Sequence, residues 1–175
     1  STAVYGPRDL YPEGLQPQDA ELYPISLYGV YKQANEWFGG IYSSESNISS
    51  IGLRPYTVYG PGRDQGMTST PTKAILAALV GEPYEISFGG EYQFQYADDV
   101  AKIFIQAAES SFVGSKVFNI GGEVCSTQDV IDAITEIIPA SANQFSFNPS
   151  MLPFPSAFDN SELISTIGDI SFTPL

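Results

Sequence analysis

The chain has 175 residues, 43% of them hydrophobic, which suits one domain or a piece of a larger one with a real core. Twenty acidic residues against seven basic ones give a net charge of −13, which sets the chain against nucleic acid and anionic membranes. With no histidine and one cysteine, histidine-based triads, histidine-ligated metals and an intrachain disulfide are excluded, and no metal site is expected.

Cys125 reads as a small buried or half-buried residue. No apolar run approaches the ~18 residues of a membrane span. The opening Ser1-Thr2-Ala3-Val4 has neither a basic leader nor an apolar signal core, so a cytoplasmic location is expected. Both ends read as cut. The chain starts in what resembles a strand end and stops at Thr173-Pro174-Leu175, so a fragment is expected.

Residues 1–5 read as a strand end and Gly6-Pro7 as a turn. Residues 7–24 carry four prolines, Gly14 and several acids, and read as a long loop. A helix is predicted from Ser26, with Val30, Ala34, Trp37, Phe38 and Ile41 at helical spacing. Gly39-Gly40 weakens it by about 1 kcal/mol per glycine relative to alanine, or permits a close approach to a neighbour. Ser43–Asn47 reads as a polar turn, Ile48–Leu53 as a buried strand and Arg54–Gly66 as a Gly/Pro-punctuated loop.

A helix over Pro71–Val80 begins with the proline in its first turn. Strands follow at Tyr84–Phe88 and Tyr92–Tyr96, then a helix over Ala97–Ser110 with Asp98 and Asp99 set against its dipole. A strand over Val117–Ile120 leads to Ser126-Thr127-Gln128-Asp129, which resembles a capping box opening a helix to Ile138, where Pro139 stops it. Gln144–Phe147 is a further strand candidate, and the remainder is dominated by prolines and polar residues. Strands alternating with helices indicate an α/β fold.

Within the first helix, Tyr28 and Lys32 are four residues apart, which stacks them on one face about a turn apart. A neighbouring ammonium favours a phenolate. Such a pair can exchange a proton with a substrate hydroxyl beside an electron-accepting cofactor. In a chain with 11 tyrosines the spacing also arises by chance, so the pair alone assigns nothing.

Its neighbours add weight. Ser1-Thr2-Ala3-Val4-Tyr5-Gly6, Tyr28-x-x-x-Lys32, Leu53-Arg54-Pro55-Tyr56-Thr57-Val58-Tyr59-Gly60-Pro61-Gly62, Tyr96-Ala97-Asp98-Asp99-Val100-Ala101 and Val117-Phe118-Asn119-Ile120-Gly121-Gly122 follow one another in order. This series resembles the extended short-chain dehydrogenase/reductase family, which includes NAD(P)-dependent sugar-nucleotide epimerases and dehydratases. Ile167-Gly168 and Thr173-Pro174-Leu175 are weakly similar to the element before that family's last helix.

The resemblance implies a partial Rossmann-type parallel sheet plus a smaller mixed α/β substrate-binding region. Residues 1–66 would be the C-terminal part of the NAD(P)-binding domain and residues 67–175 mainly the substrate region. It implies Ser1, Tyr28 and Lys32 as catalytic residues, with Tyr28, Lys32 and Pro55 meeting the cofactor, NAD or NADP. Ser1, Thr2, Thr57 and Arg63 would meet the substrate, a sugar, sugar nucleotide or small alcohol. Tyr28 would be the acid/base, Lys32 would bind the nicotinamide ribose, and Pro55 could offer only its carbonyl.

Thr2 and Ala3 stand where the dehydratases carry Asp-Glu, and Ala3 stands where GDP-fucose synthases carry cysteine. Hydride transfer at a carbinol is what remains, as net oxidation/reduction or as 4-epimerisation. Thr57 replaces the family's loop Asn, and Tyr92 replaces an Arg that commonly grips the substrate diphosphate, which turns the expectation away from UDP-sugars. Arg63 is a candidate source of charge, and Asp98 either caps its helix or meets a sugar.

The Trp37, Phe38 and Ile41 face suits either a homodimer, as in the family, or burial within the monomer. A catalytically silent dinucleotide-binding or scaffolding relative is the alternative to an enzyme, and the intact Tyr/Lys pair counts against it. No Gly-x-x-Gly-x-x-Gly occurs to cradle a pyrophosphate. Residues 1–175 alone are therefore expected not to bind NAD tightly; micromolar affinity by calorimetry would refute this.

Overall fold

The computed structural model describes residues 1–175 throughout. In chain order its elements are β1 (Leu15–Gln16), α1 (Leu27–Ser46), β2 (Ser50–Arg54), β3 (Thr57–Tyr59), α2 (Thr70–Val80), β4 (Tyr84–Ile86) and β5 (Glu91–Tyr96). They continue with α3 (Ala97–Glu109), β6 (Ser115–Asn119), β7 (Val124–Ser126), α4 (Thr127–Ile137), β8 (Phe145–Phe147), β9 (Ala157–Phe158) and α5 (Ser161–Ile167). The fold is mixed α/β, as the alternation of periods predicts. No helix is long and apolar enough to cross a membrane.

The chain divides into two units, and neither is continuous in sequence. Unit 1 gathers Ser1–Tyr56, Asp99–Gly121 and Pro153–Ser171; unit 2 gathers Thr57–Asp98, Gly122–Leu152 and Phe172–Leu175. A single boundary at residue 66 does not describe this arrangement. β2 pairs in parallel with β6, and a parallel pair needs a long crossover. Much of unit 2 lies within that crossover, so the chain leaves unit 1 after Tyr56 and returns to it at Asp99.

In unit 1, β2 and β6 run in register from Ser50 opposite Ser115 to Arg54 opposite Asn119. The outer side of β6 is met by a side chain. Gln18 Nε2 donates to the Val117 carbonyl at 2.7 Å, and Gln18 Oε1 accepts from the Asn119 N–H at 2.7 Å. A second parallel pair, β1 with β9, fastens the loop of residues 7–24 to the segment near Phe158. Val4, Tyr5, Leu53, Ile103, Phe118, Phe158 and Leu163 form the core of this unit.

α1 begins where Ser26 Oγ accepts from the Gly29 N–H at 3.1 Å, satisfying one orphan donor of the first turn. It ends at Asn47, whose left-handed backbone (φ 53°) suits the short amide side chain. The predicted turn at Ser43–Asn47 is therefore the last turn of the helix plus its cap. Gly39 explains why the helix tolerates glycine. A Cβ there would lie 2.8 Å from Ser50 Oγ, which itself hydrogen-bonds Ser115 Oγ at 2.9 Å. Gly40 has open space instead.

In unit 2, β5 is central, parallel to β3 on one side and antiparallel to β7 on the other. β4 and β8 form a separate parallel pair. α2 starts with Pro71 in its first turn and stops at Gly81 in the left-handed region (φ 73°). The predicted capping box opens α4: Ser126 Oγ accepts from the Asp129 N–H at 3.0 Å, and Asp129 accepts from the Ser126 N–H at 2.7 Å. The Ser126 hydroxyl, which also donates to that carboxylate at 2.7 Å, and then the Ser126 N–H draw the Asp129 carboxyl below its ordinary pKa. Cys125 is half-buried, and burial first, then the charges of Glu123 and Asp129, push its thiol up.

Three readings change. Residues 1–5 are not a strand end: Thr2–Val4 form a 3₁₀ turn, because Ser1 Oγ accepts from the Ala3 N–H at 3.3 Å and bends the backbone. Arg54 closes β2, and Thr57–Tyr59 is a strand rather than loop because it finds the central strand β5 as a partner. β1, within the predicted loop of residues 7–24, and β7, β9 and α5 have no expected counterpart; the three strands are two or three residues long, too short for a period to show.

The two glycines of α1 separate propensity from packing. Gly40→Ala is expected to stabilise the protein by up to about 1 kcal/mol. Gly39→Ala should come out at least about 1 kcal/mol less favourable, since it breaks the Ser50–Ser115 hydrogen bond. Urea denaturation of both variants checks the difference; equal midpoints would refute the close contact.

Candidate functional site

The predicted residues of unit 1 come together at the start of α1. Tyr28 and Lys32 lie on one face of the helix, with Lys32 Nζ 5.4 Å from the centroid of the Tyr28 ring. Tyr28 is 57% exposed. Between them Gly29 is the one buried residue of the helix. A Cβ at that position would lie 2.2 Å from the Ala3 carbonyl oxygen and 2.9 Å from Pro24 Cβ. Glycine is what lets the Tyr28 turn of α1 sit directly on the Ser1–Val4 turn.

That turn is fixed in its own right to the end of β2. The Ser1 nitrogen donates to the Leu53 carbonyl at 3.3 Å, and the Thr2 N–H donates to the Pro55 carbonyl at 3.2 Å. The Thr2 hydroxyl reaches the same oxygen at 3.5 Å. Ser1 Oγ accepts from Ala3 and keeps its own O–H as a donor. Ser1, Thr2, Tyr28, Lys32 and Pro55 are thus carried by three short segments of unit 1.

Behind these segments lies a buried polar group with no counterpart in the residue-by-residue expectation. Arg54, 6% exposed, donates through Nε to Glu36 Oε1 at 2.9 Å and through Nη2 to Glu36 Oε2 at 2.8 Å. Its Nη1 donates to the Tyr5 hydroxyl at 2.8 Å and to Asn119 Oδ1 at 3.3 Å. The Tyr5 hydroxyl in turn donates to Asn119 Oδ1 at 2.8 Å. Burial opposes the Arg54 charge, yet its hydrogen bonds and the Glu36 carboxylate outweigh that and hold it above the ordinary guanidinium value. Burial likewise raises the Tyr5 phenol, against the pull of Arg54 and Asn119, so it stays protonated. One sequence signal pointed here: Glu36 follows Lys32 by four residues, as Lys32 follows Tyr28, so all three share a helix face.

The other predicted residues belong to unit 2 and are described there alone. Thr57 is wholly buried on β3, and its hydroxyl has no hydrogen-bond partner in the protein. Arg63 is folded back on its own loop, donating to the Gln65 carbonyl and to Thr68 Oγ1, the latter at 3.0 Å. Tyr92 is wholly buried. Its hydroxyl donates to the Gly89 carbonyl at 2.8 Å and accepts from the Leu152 N–H at 2.7 Å.

The Tyr28-x-x-x-Lys32 helix is thus docked on the Ser1–Val4 turn. The model of the NAD dependent epimerase/dehydratase family matches residues 1–121, and the chain belongs to that family. An uncharacterised 37.6 kDa protein of Escherichia coli O111:H- is 30% identical over 197 residues, covering 99% of this chain and 56% of that protein. The solved UDP-glucuronic acid 4-epimerase of Bacillus cereus, in complex with NAD, superposes with a TM-score of 0.79 at 27% identity, over 100% of this chain and 55% of that one. A partial-consensus L-threonine 3-dehydrogenase superposes with a TM-score of 0.84 over 99% of this chain and 60% of that one; at 24% identity this likeness shows the fold. The chain thus spans little more than half the length of these proteins.

The donor set at the start of α1 fits the nicotinamide riboside end of the dinucleotide. It offers an ammonium and an exposed phenol, with the Pro55 carbonyl, which already accepts from the Thr2 N–H at 3.2 Å, on the neighbouring segment.

The contact beneath Tyr28 is testable. Gly29→Ala forces a methyl into the Ala3 carbonyl and is expected to destabilise by about 1–3 kcal/mol. Chemical denaturation measures it, and an unchanged midpoint would show that α1 does not rest on the Ser1 turn.

Proposed function

We propose that this chain carries the proton-transfer side of an NAD(P)-dependent epimerase or dehydrogenase acting on a secondary hydroxyl of a sugar, sugar nucleotide or small alcohol. The observation that carries it is the Tyr28/Lys32 pair, stacked, with Tyr28 exposed and seated by Gly29 on the turn that bears Ser1. When bound, the nicotinamide supplies a hydride acceptor and donor. Proton handling falls to side chains of unit 1.

In this reading the Tyr28 hydroxyl exchanges a proton with the substrate hydroxyl. The Lys32 ammonium, 5.4 Å from the Tyr28 ring centroid, offers donors to the ribose hydroxyls. Ser1 donates its remaining O–H to the substrate oxygen, since a hydroxyl can follow a proton in either direction. Lys32 and Tyr28 hold the ribose, and the Pro55 carbonyl accepts from the carboxamide. The carbinol carbon is oxidised in the forward step; returning hydrogen to the opposite face completes an epimerisation, and releasing the carbonyl product completes a dehydrogenation.

Position 92 bears on the substrate class. A tyrosine bonded to Gly89 and Leu152 offers no cation there to grip a diphosphate. This supports a sugar, sugar acid or small hydroxy compound at least as well as a UDP-sugar.

In the full-length protein, Tyr28→Phe is expected to lower turnover by about 10²–10⁴-fold, with UDP-glucuronate and L-threonine as the first substrates tried. Circular dichroism should not change, since the exposed hydroxyl is not part of the core. Turnover within about threefold of wild type would remove Tyr28 as the acid/base.

A further inference from the structure

Arg54 makes contacts that the proton-transfer reading does not require. Its guanidinium joins three segments that are distant in sequence. Through Glu36 it holds α1, two turns beyond Tyr28 and one beyond Lys32. Through the Tyr5 hydroxyl it holds the segment that begins with Ser1 and Thr2, over whose tyrosine ring it also lies, 5.2 Å from the centroid. Through its own backbone it is bonded to Pro55, and through Asn119 it reaches β6. All three segments bearing the proposed residues therefore meet on one planar group.

We propose that Arg54, with Glu36 and Tyr5 as its two arms, is a positioning residue that sets Ser1, Tyr28 and Lys32 in mutual register; the proposal rests on the reading of Tyr28 as acid/base. A buried ion pair adds little stability over apolar side chains of the same volume. What the guanidinium supplies is direction: a rigid fork whose five donors leave in fixed orientations, which an ammonium cannot reproduce. The bidentate pair fixes the rotation of α1 about its axis, and Nη1 fixes the Ser1 segment against the same plane. The steric contact at Gly29 sets how closely the two approach. Rotation and distance together leave the phenol and the serine hydroxyl little freedom.

Two variants test this in the full-length protein. Arg54→Lys keeps the charge and removes the fork. Tyr5→Phe keeps the ring and the Glu36–Arg54 pair but cuts the arm to Ser1. At a temperature well below each melting point, Arg54→Lys is expected to lower kcat about 100-fold, and Tyr5→Phe about tenfold, with KM within about threefold of wild type. Glu162→Gln, which breaks the exposed Lys116–Glu162 pair, serves as control and should leave kcat unchanged.

Hydrogen exchange without cofactor gives a readout independent of turnover. Peptides covering residues 1–6 and 27–36 should exchange at least about tenfold faster in Arg54→Lys, while α4 is unaffected. If Arg54→Lys does not fold, Tyr5→Phe decides. Folded variants with kcat within about twofold of wild type, or with only KM changed, would overturn the positioning role. Wild-type turnover by Tyr28→Phe would instead remove the acid/base reading, and the exchange result would still report whether the fastening exists.

Discussion

Unit 1 depends on a charge buried where charges are costly. Arg54 is nearly sealed from solvent, and an unpaired guanidinium there would be untenable. The sequence meets this with a carboxylate on α1, a phenol five residues into the chain and an amide at the end of β6. Because each partner comes from a different segment, satisfying the charge and assembling the unit are one event. A chain that failed to bring α1, the Ser1 turn and β6 together would leave that cost unmet.

The same logic separates the unit's two kinds of glycine. Gly29 and Gly39 lie where α1 touches backbone or serine side chains, and Gly40 lies where it touches nothing. Gly29 admits the Ser1–Val4 turn and Gly39 the serines of the β2–β6 pair. The seat of Tyr28 is therefore steric at one end of the helix and electrostatic in its middle.

Much of this was legible from residues alone, for identifiable reasons. α1, α2 and α4 announce themselves through period and caps: Ser26, Pro71 with Gly81, and the Ser126/Asp129 box. The Tyr28/Lys32 stacking follows from helical spacing. What could not be read was anything set by pairing over long separations. Thr57–Tyr59 is a strand because β5 accepts it, and nothing local says so. Residues 1–5 bend because a serine hydroxyl captures its own backbone, an outcome that strand propensity does not encode. The two units interleave because β2 finds its neighbour only at β6. Arg54 itself sat in what read as a loop, although the acid four residues after Lys32 was visible on the helix face.

Gln18 has a role beyond filling a gap. Its side-chain amide bonds Val117 and Asn119 on either side of Phe118, as a peptide unit of one more parallel strand would. The ladder is thereby given a terminus, because the groups that would recruit another strand at that point are already occupied. A single amide thus guards β6 against pairing with a neighbouring molecule at little conformational cost. It also ties the proline-bearing loop to the strand whose last residue, Asn119, holds Arg54. The segment that reads as a long loop is therefore anchored to the outer edge of the β2–β6 pair.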